Sequence, residues 1–195
     1  MTWWIRELAA CFRFLTVSGD RPFWQSKRVY EIVVPFALTA PIALLYLFVD
    51  GLFKDGFLGR FLDLLFQFMV FVVPFHLAAL AAFATFERQG LDEPLKGTNA
   101  EVEIWSNKQN SRIVKTLTLR QYASLMFGYL CSIGVIFIIA YLFLDSINTE
   151  VIPSVMYLYL YPVGVICSLF FVFHYATLTA YAITFLFEKI NKIEA

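Results

Sequence analysis

Four stretches without a charged residue, Ile32–Val49, Leu64–Phe86, Gln121–Leu144 and Val151–Phe187, dominate this sequence of 195 residues. Each is long enough to cross about 30 Å of hydrocarbon as a helix. No soluble fold has room for them. Only 15% of the residues are charged and 60% are hydrophobic, where a soluble domain carries about 25% charged residues. The 22 Phe residues exceed what the core of so small a globule can hide. With a net charge of zero, no basic excess points to nucleic acid, and none is expected as a direct partner. The chain reads as an all-α membrane protein whose first partner is the lipid bilayer.

The fourth stretch is too long for one crossing. Pro153 and Pro162 divide it, and Tyr157, Tyr159 and Tyr161 alternate ahead of Pro162. The pattern predicts an aromatic interfacial segment over 151–161 and a fourth helix over about 162–187. Thirteen of the 15 Lys and Arg lie in residues 1–31, in the loop 87–120 or in the tail. The positive-inside rule then places both termini and that loop in the cytoplasm of a bacterial inner membrane.

The two halves repeat. Ser26-Lys27-Arg28-Val29-Tyr30 and Thr118-Leu119-Arg120-Gln121-Tyr122 share the pattern [ST]-x-R-x-Y. Tyr46-Leu47-Phe48-Val49-Asp50 matches Tyr141-Leu142-Phe143-Leu144-Asp145, and six of ten positions agree between 75–84 and 173–182. The matches keep their order at offsets of 92, 95, 98 and 101. They predict two tandemly duplicated helical hairpins, 26–88 and 118–189, related by an axis along the membrane normal. Residues 1–25 are expected as an N-terminal amphipathic helix, 89–117 as a cytoplasmic loop and 190–195 as a tail.

Within the repeat, Thr118 and Gln121 have capping-box spacing. Arg28 and Arg120 stand where Glu87 and Glu188 arrive, so cytoplasmic ion pairs are one reading. Simple obedience to positive-inside is the other. Small residues recur at helical spacing: Ala78 and Ala82; Ser124, Gly128 and Ser132; Ala176 and Ala180. Such stripes let helices approach closely in lipid, and their number points to packing between copies in a homo-oligomer.

His76 and His174 are the only two His, and the repeat places both near mid-span. An intramembrane ionisable group invites a functional reading. Three remain open: hydrogen-bonding glue between helices, a proton or ion path, and a bis-His site for a b-type haem. Cys11, Cys131 and Cys167 are scattered, with no His at zinc-ligand spacing, so no metal is expected. Leu8-Ala9-Ala10-Cys11 matches a lipoprotein box, but the residues before it include Arg6 and Glu7 and form no apolar run. No nucleophile, dinucleotide or metalloprotease motif occurs, so an enzyme is not expected and neither is a cofactor.

At the amino terminus, Trp4, Leu8, Cys11, Phe12 and Leu15 share one face of an α-helix. That helix suits the cytoplasmic interface of the membrane, or the base of the helical bundle. In the loop, 89–97 is rich in turn formers and predicts no regular structure. Glu101–Trp105 and Arg112–Leu117 are β-rich runs around a polar turn, which predicts a β-hairpin. A two-stranded hairpin is marginal in water and must rest on something. Ile104, Trp105, Arg112 and Lys115 are its candidate docking residues for a cytosolic partner.

In length, in its four spans with both ends inside and in the loop 87–120, the chain resembles the four-span membrane subunit of the bacterial Kiwa antiphage defence system (KwaA-like). The resemblance implies a homo-oligomer of the inner membrane that senses infection and holds a DNA-binding cytosolic partner. It rests on the plan and carries no residue role. The expected function is therefore a non-enzymatic scaffold or sensor that recruits a cytosolic protein. The alternatives are a small channel or transporter-like assembly and a haem-bearing electron carrier.

Overall fold

A computed structural model describes residues 3–19, 22–49, 51–54, 56–85, 90–95, 100–106, 111–147 and 154–191. The described residues are mostly helical. Helix α1 spans Trp3–Leu8, α2 Val34–Phe48, α3 Phe57–Thr85, α4 Leu119–Asp145 and α5 Ser154–Asn191. Strands β1, Glu101–Ser106, and β2, Ser111–Thr116, form an antiparallel pair. Val29–Phe48, α3, α4 and Leu158–Glu188 are long and apolar enough to cross a membrane. Bulky side chains such as Phe36, Phe71, Phe75 and Phe143 are exposed along them, as lipid-facing residues are. This is a multi-pass membrane protein.

The chain divides into two compact units, Met1–Lys27 with Val73–Ile133, and Arg28–Val72 with Gly134–Ala195. Each takes a part of both predicted hairpins.

In the first unit the loop residues Leu91, Leu95, Ala100, Val102 and Leu117 are buried, together with Val17 from the amino-terminal segment. Thr118 and Gln121 form the expected capping box: the Gln121 N–H donates to Thr118 Oγ1 at 3.3 Å, and the Thr118 N–H to Gln121 Oε1 at 3.4 Å. Residues 90–95 contain no helix or strand, as expected, yet they are tied down. The Leu95 N–H donates to the Leu117 carbonyl, and those of Leu119 and Arg120 to Glu93 and Leu91.

The amino-terminal helix differs from the single amphipathic helix expected over residues 1–25. After α1 the chain tightens into a 3-10 helix over Ala10–Thr16. Its period of three residues puts Cys11, Phe14 and Val17 on one face. Phe14 is fully buried, with its ring 5.9 Å from that of Tyr122 and 5.5 Å from that of Tyr129. Trp4, Leu8 and Leu15, three of the five residues of the predicted apolar face, are exposed instead. The change of helical period turned the buried face.

In the second unit, residues Val29–Val33 form a π-helical turn that leads into α2. Pro35 accounts for it: the ring has no N–H for the Glu31 carbonyl and crowds it, so the turn widens. Helix α3 begins at Phe57, so Arg60 and Asp63 extend it ahead of the uncharged run from Leu64. One boundary is corrected here. Helix α5 begins at Ser154 and runs through Pro162, so Tyr159 and Tyr161 are helical rather than parts of a separate interfacial segment. Pro162 removes only the bond to the carbonyl four residues back. Tyr161 makes a tertiary contact that fixes this turn: its hydroxyl accepts the N–H of Leu58, one of the orphan donors at the start of α3, at 3.2 Å.

Candidate functional site

The hairpin is the most elaborate polar feature of the first unit. The ladder pairs Val102 with Lys115, Glu103 with Val114, Ile104 with Ile113 and Trp105 with Arg112. Side chains alternate across a strand, so Val102, Ile104, Ile113 and Lys115 share one face. Glu103, Trp105, Arg112 and Val114 share the other. The four predicted docking residues therefore do not form one surface. Ile104 and Lys115 belong to the face of buried Val102, whereas Trp105 and Arg112 stand opposite each other beside Val114, which is 60% exposed. A period of two separates neighbours such as Ile104 and Trp105, whatever their chemistry.

The root of the hairpin is fastened on two sides. Glu101 pairs with Ser18 of the amino-terminal segment, with N–H donors in both directions at 2.8 and 2.9 Å. On the other side the Leu117 N–H donates to the Ala100 carbonyl at 2.8 Å. The polar turn between the strands, 107–110, lies outside the described residues.

Arg120 braces the base of this unit. Its Nε and Nη2 donate to the two carboxylate oxygens of Asp92, at 2.8 and 3.1 Å, and Nη1 donates to the Phe83 carbonyl near the end of α3 at 2.6 Å. The Arg120 hydrogen bond holds the Asp92 carboxyl below the usual carboxylate range; desolvation opposes this and the Arg120 charge adds to it. Arg120 thus holds the carboxylate of Asp92, because three loop hydrogen bonds carry residues 91–95 onto 117–120. Arg28 and Glu188 are exposed, and Glu87 lies outside the described residues.

Of the small-residue stripes, Gly128 and Ser132 are taken up within the chain. A Cβ on Gly128 would lie 3.6 Å from Cys11 Cβ, and Cys11 Sγ is 3.0 Å from Ser132 Oγ. Ser124 and Ala82 are half-buried. Ala78, Ala176 and Ala180 are exposed.

The two His residues fall in different units and have unlike surroundings. His76 is buried with its ring 5.8 Å from that of Phe127. His174 places Nδ1 2.7 Å from the backbone carbonyl of Glu31. A carbonyl only accepts, so geometry assigns the proton to Nδ1. Pro35 has no N–H to offer this carbonyl, and His174 supplies a donor to it. Phe170 stacks beside the His174 ring at 6.0 Å, and Tyr30 stacks on Tyr181 at 4.0 Å. His174 thus hydrogen-bonds α5 to the entry of α2.

Sequence reasoning missed Glu31, which ends the charged region before the first apolar run and was read as lying outside it. It is 3% exposed, inside the span Val29–Phe48. The signal was the Glu-x-x-x-Pro spacing, which marks a carbonyl in need of a donor. Asp63 was also passed over; it accepts from the Tyr141 hydroxyl at 2.5 Å.

Comparison with known families, curated proteins and solved structures returns no match. The functional reading rests on the chain itself.

Proposed function

We propose that the chain is a non-enzymatic platform of the bacterial inner membrane, with its termini and the hairpin in the cytoplasm, that recruits a cytosolic protein through the hairpin. One observation carries this. A connector between membrane hairpins needs only to reach, yet this one folds a two-stranded ladder and anchors its root through Val17, Val102 and Leu117 and the Ser18–Glu101 pair. Opposite the buried face of Val102, Glu103 and Val114 are exposed, and the register places Trp105 and Arg112 on that same face. Aromatic and Arg residues are the usual anchors of a protein interface.

Self-association is supported by Ala176 and Ala180, which stand exposed one turn apart on α5. An antiphage setting, in which the partner is recruited after a membrane event, is supported by the resemblance in plan to the Kiwa membrane subunit. Partner retention tests the reading. The variant Trp105→Ala with Val114→Ser leaves Ile104 and the buried root alone, so membrane insertion is expected to be normal. The cytosolic protein recovered with the native chain from solubilised membranes should be lost. Full recovery with this variant overturns the hairpin as the docking element.

A further inference from the structure

Ser132 stands at the middle of α4, with 13 residues of the helix on either side of it. At 1.5 Å per residue α4 is about 40 Å long, against about 30 Å of hydrocarbon. Wherever the helix slides along its axis within that slack of about 10 Å, its midpoint stays within about 5 Å of the bilayer centre. Cys11 touches that midpoint, with Sγ 3.0 Å from Ser132 Oγ and Cβ against Gly128. Phe12 packs edge-on against Tyr129 at 5.7 Å, and Phe14 lies against Tyr129 and Tyr122. Three residues further on, Val17 precedes the Ser18 pair with the root of the hairpin. The segment thus descends along α4 from its entrance to its centre, all within one compact unit. A helix lying in the headgroup plane has no way to make these contacts.

We infer that residues 3–16 are a re-entrant element inserted in the leaflet that α4 enters at Leu119, with acyl chains as the ligand of its exposed face. Trp4, Leu8 and Leu15 form that face; Leu8 is 72% exposed and Trp4 51%. In hydrocarbon backbone groups must be paired within the protein, and the junction between the two helices is so paired. Helix α1 passes into the 3-10 helix through the bond from the Ala9 N–H to Ile5, and the Phe12 N–H donates to Ala9. Lys27 donates its ammonium to the Phe14 carbonyl and lies 4.3 Å over the Phe14 ring. Arg13, just below, has a stem long enough to carry its guanidinium to the headgroups.

The inference deepens the proposed platform, on which its functional meaning rests. The segment that feels the acyl chains is hydrogen-bonded at Ser18 to the strand that presents the docking face. A change in lipid packing at α1 is therefore one short, tied segment away from the hairpin.

Depth is read by spin labels in proteoliposomes, on the full chain carrying Cys11→Ser, Cys131→Ala and Cys167→Ala. Labels at Leu8→Cys and Leu15→Cys should collide with dissolved oxygen several-fold more than with a water-soluble nickel chelate. Glu103→Cys on the hairpin, the aqueous reference, should show the reverse. Nickel access at Leu8 equal to that at Glu103 overturns the inference, as does exclusion of both reagents, which means a second copy covers the face. A chain that keeps its cysteines gives a second measurement. In Trp3→Phe with Trp24→Phe and Trp105→Phe, the remaining Trp4 should be quenched by lipids brominated deep in the acyl chain and spared by acrylamide. The opposite pattern refutes insertion. Neither measurement involves the cytosolic partner, so failure of the docking variant and failure of insertion are separate results.

Discussion

Replacing His174 by Leu removes the donor that lies 2.7 Å from the Glu31 carbonyl, one of the carbonyls that a proline four residues on deprives of an α-helical N–H. Pro35, four residues on, has no N–H to offer the Glu31 carbonyl, and His174 Nδ1 at 2.7 Å supplies a donor. A buried acceptor stripped of its partner costs about 1–3 kcal/mol. Hydrogen bonds between membrane helices are worth less, about 0.6 kcal/mol on average and about 1.7 at most, because the unfolded chain in lipid finds other partners. Glu31 is 3% exposed and water cannot replace the imidazole, so His174→Leu should cost about 1–2 kcal/mol. The cause is tested by restoring the missing donor. In a Pro35→Ala background, residue 35 has an N–H for the Glu31 carbonyl, and the cost of His174→Leu should fall by about 1 kcal/mol, roughly fivefold in the unfolding constant. Unfolding equilibria of the four chains in mixed micelles, titrated with denaturing detergent, give the cycle. Additivity within about 0.4 kcal/mol refutes the argument that Pro35 created the need His174 fills.

Arg120→Met removes a charged donor from the Phe83 carbonyl, a bond worth about 2 kcal/mol, so amide exchange over 90–95 should accelerate roughly thirtyfold. Unchanged exchange there shows that Arg120 is no brace. The Asp92 carboxyl is held low in the folded chain, so its contribution is complete above its unfolded pKa and is lost as pH falls through the lower folded value. Exchange over 90–95 should be flat from pH 7 to about 5 after correction for intrinsic rates, rise below about 4, and lose that acid dependence in Arg120→Met. Gly128→Ala should be accepted, since its Cβ meets Cys11 at ordinary contact distance, whereas Gly128→Trp should push the amino-terminal segment off α4. Cys11 then becomes reactive toward a lipid-soluble thiol reagent, and an unreactive Cys11 in the Trp variant contradicts the contact.

Hydrophobic spacing determined the long helices and the hairpin, because both follow from local patterns. An uncharged run must be helical to cross lipid, and two β-rich runs around a polar turn pair with each other. The capping box at Thr118 was legible for the same reason: its partners are three residues apart. Partners distant in sequence were not. Sequence places Arg120 only where Glu87 and Glu188 arrive, and the loop hydrogen bonds that bring Asp92 to it leave no trace in composition. Gly128 and Ser132 looked like a surface for another copy, yet the tightening of residues 10–16 to a 3-10 helix turned Cys11 onto them. Ile104 and Trp105 were grouped by chemistry, and the register of the ladder separated them by face. Sequence gave His174 its place near mid-span, but only the packing of α5 against the entry of α2 brought its Nδ1 to the Glu31 carbonyl, to which Pro35 has no N–H to offer.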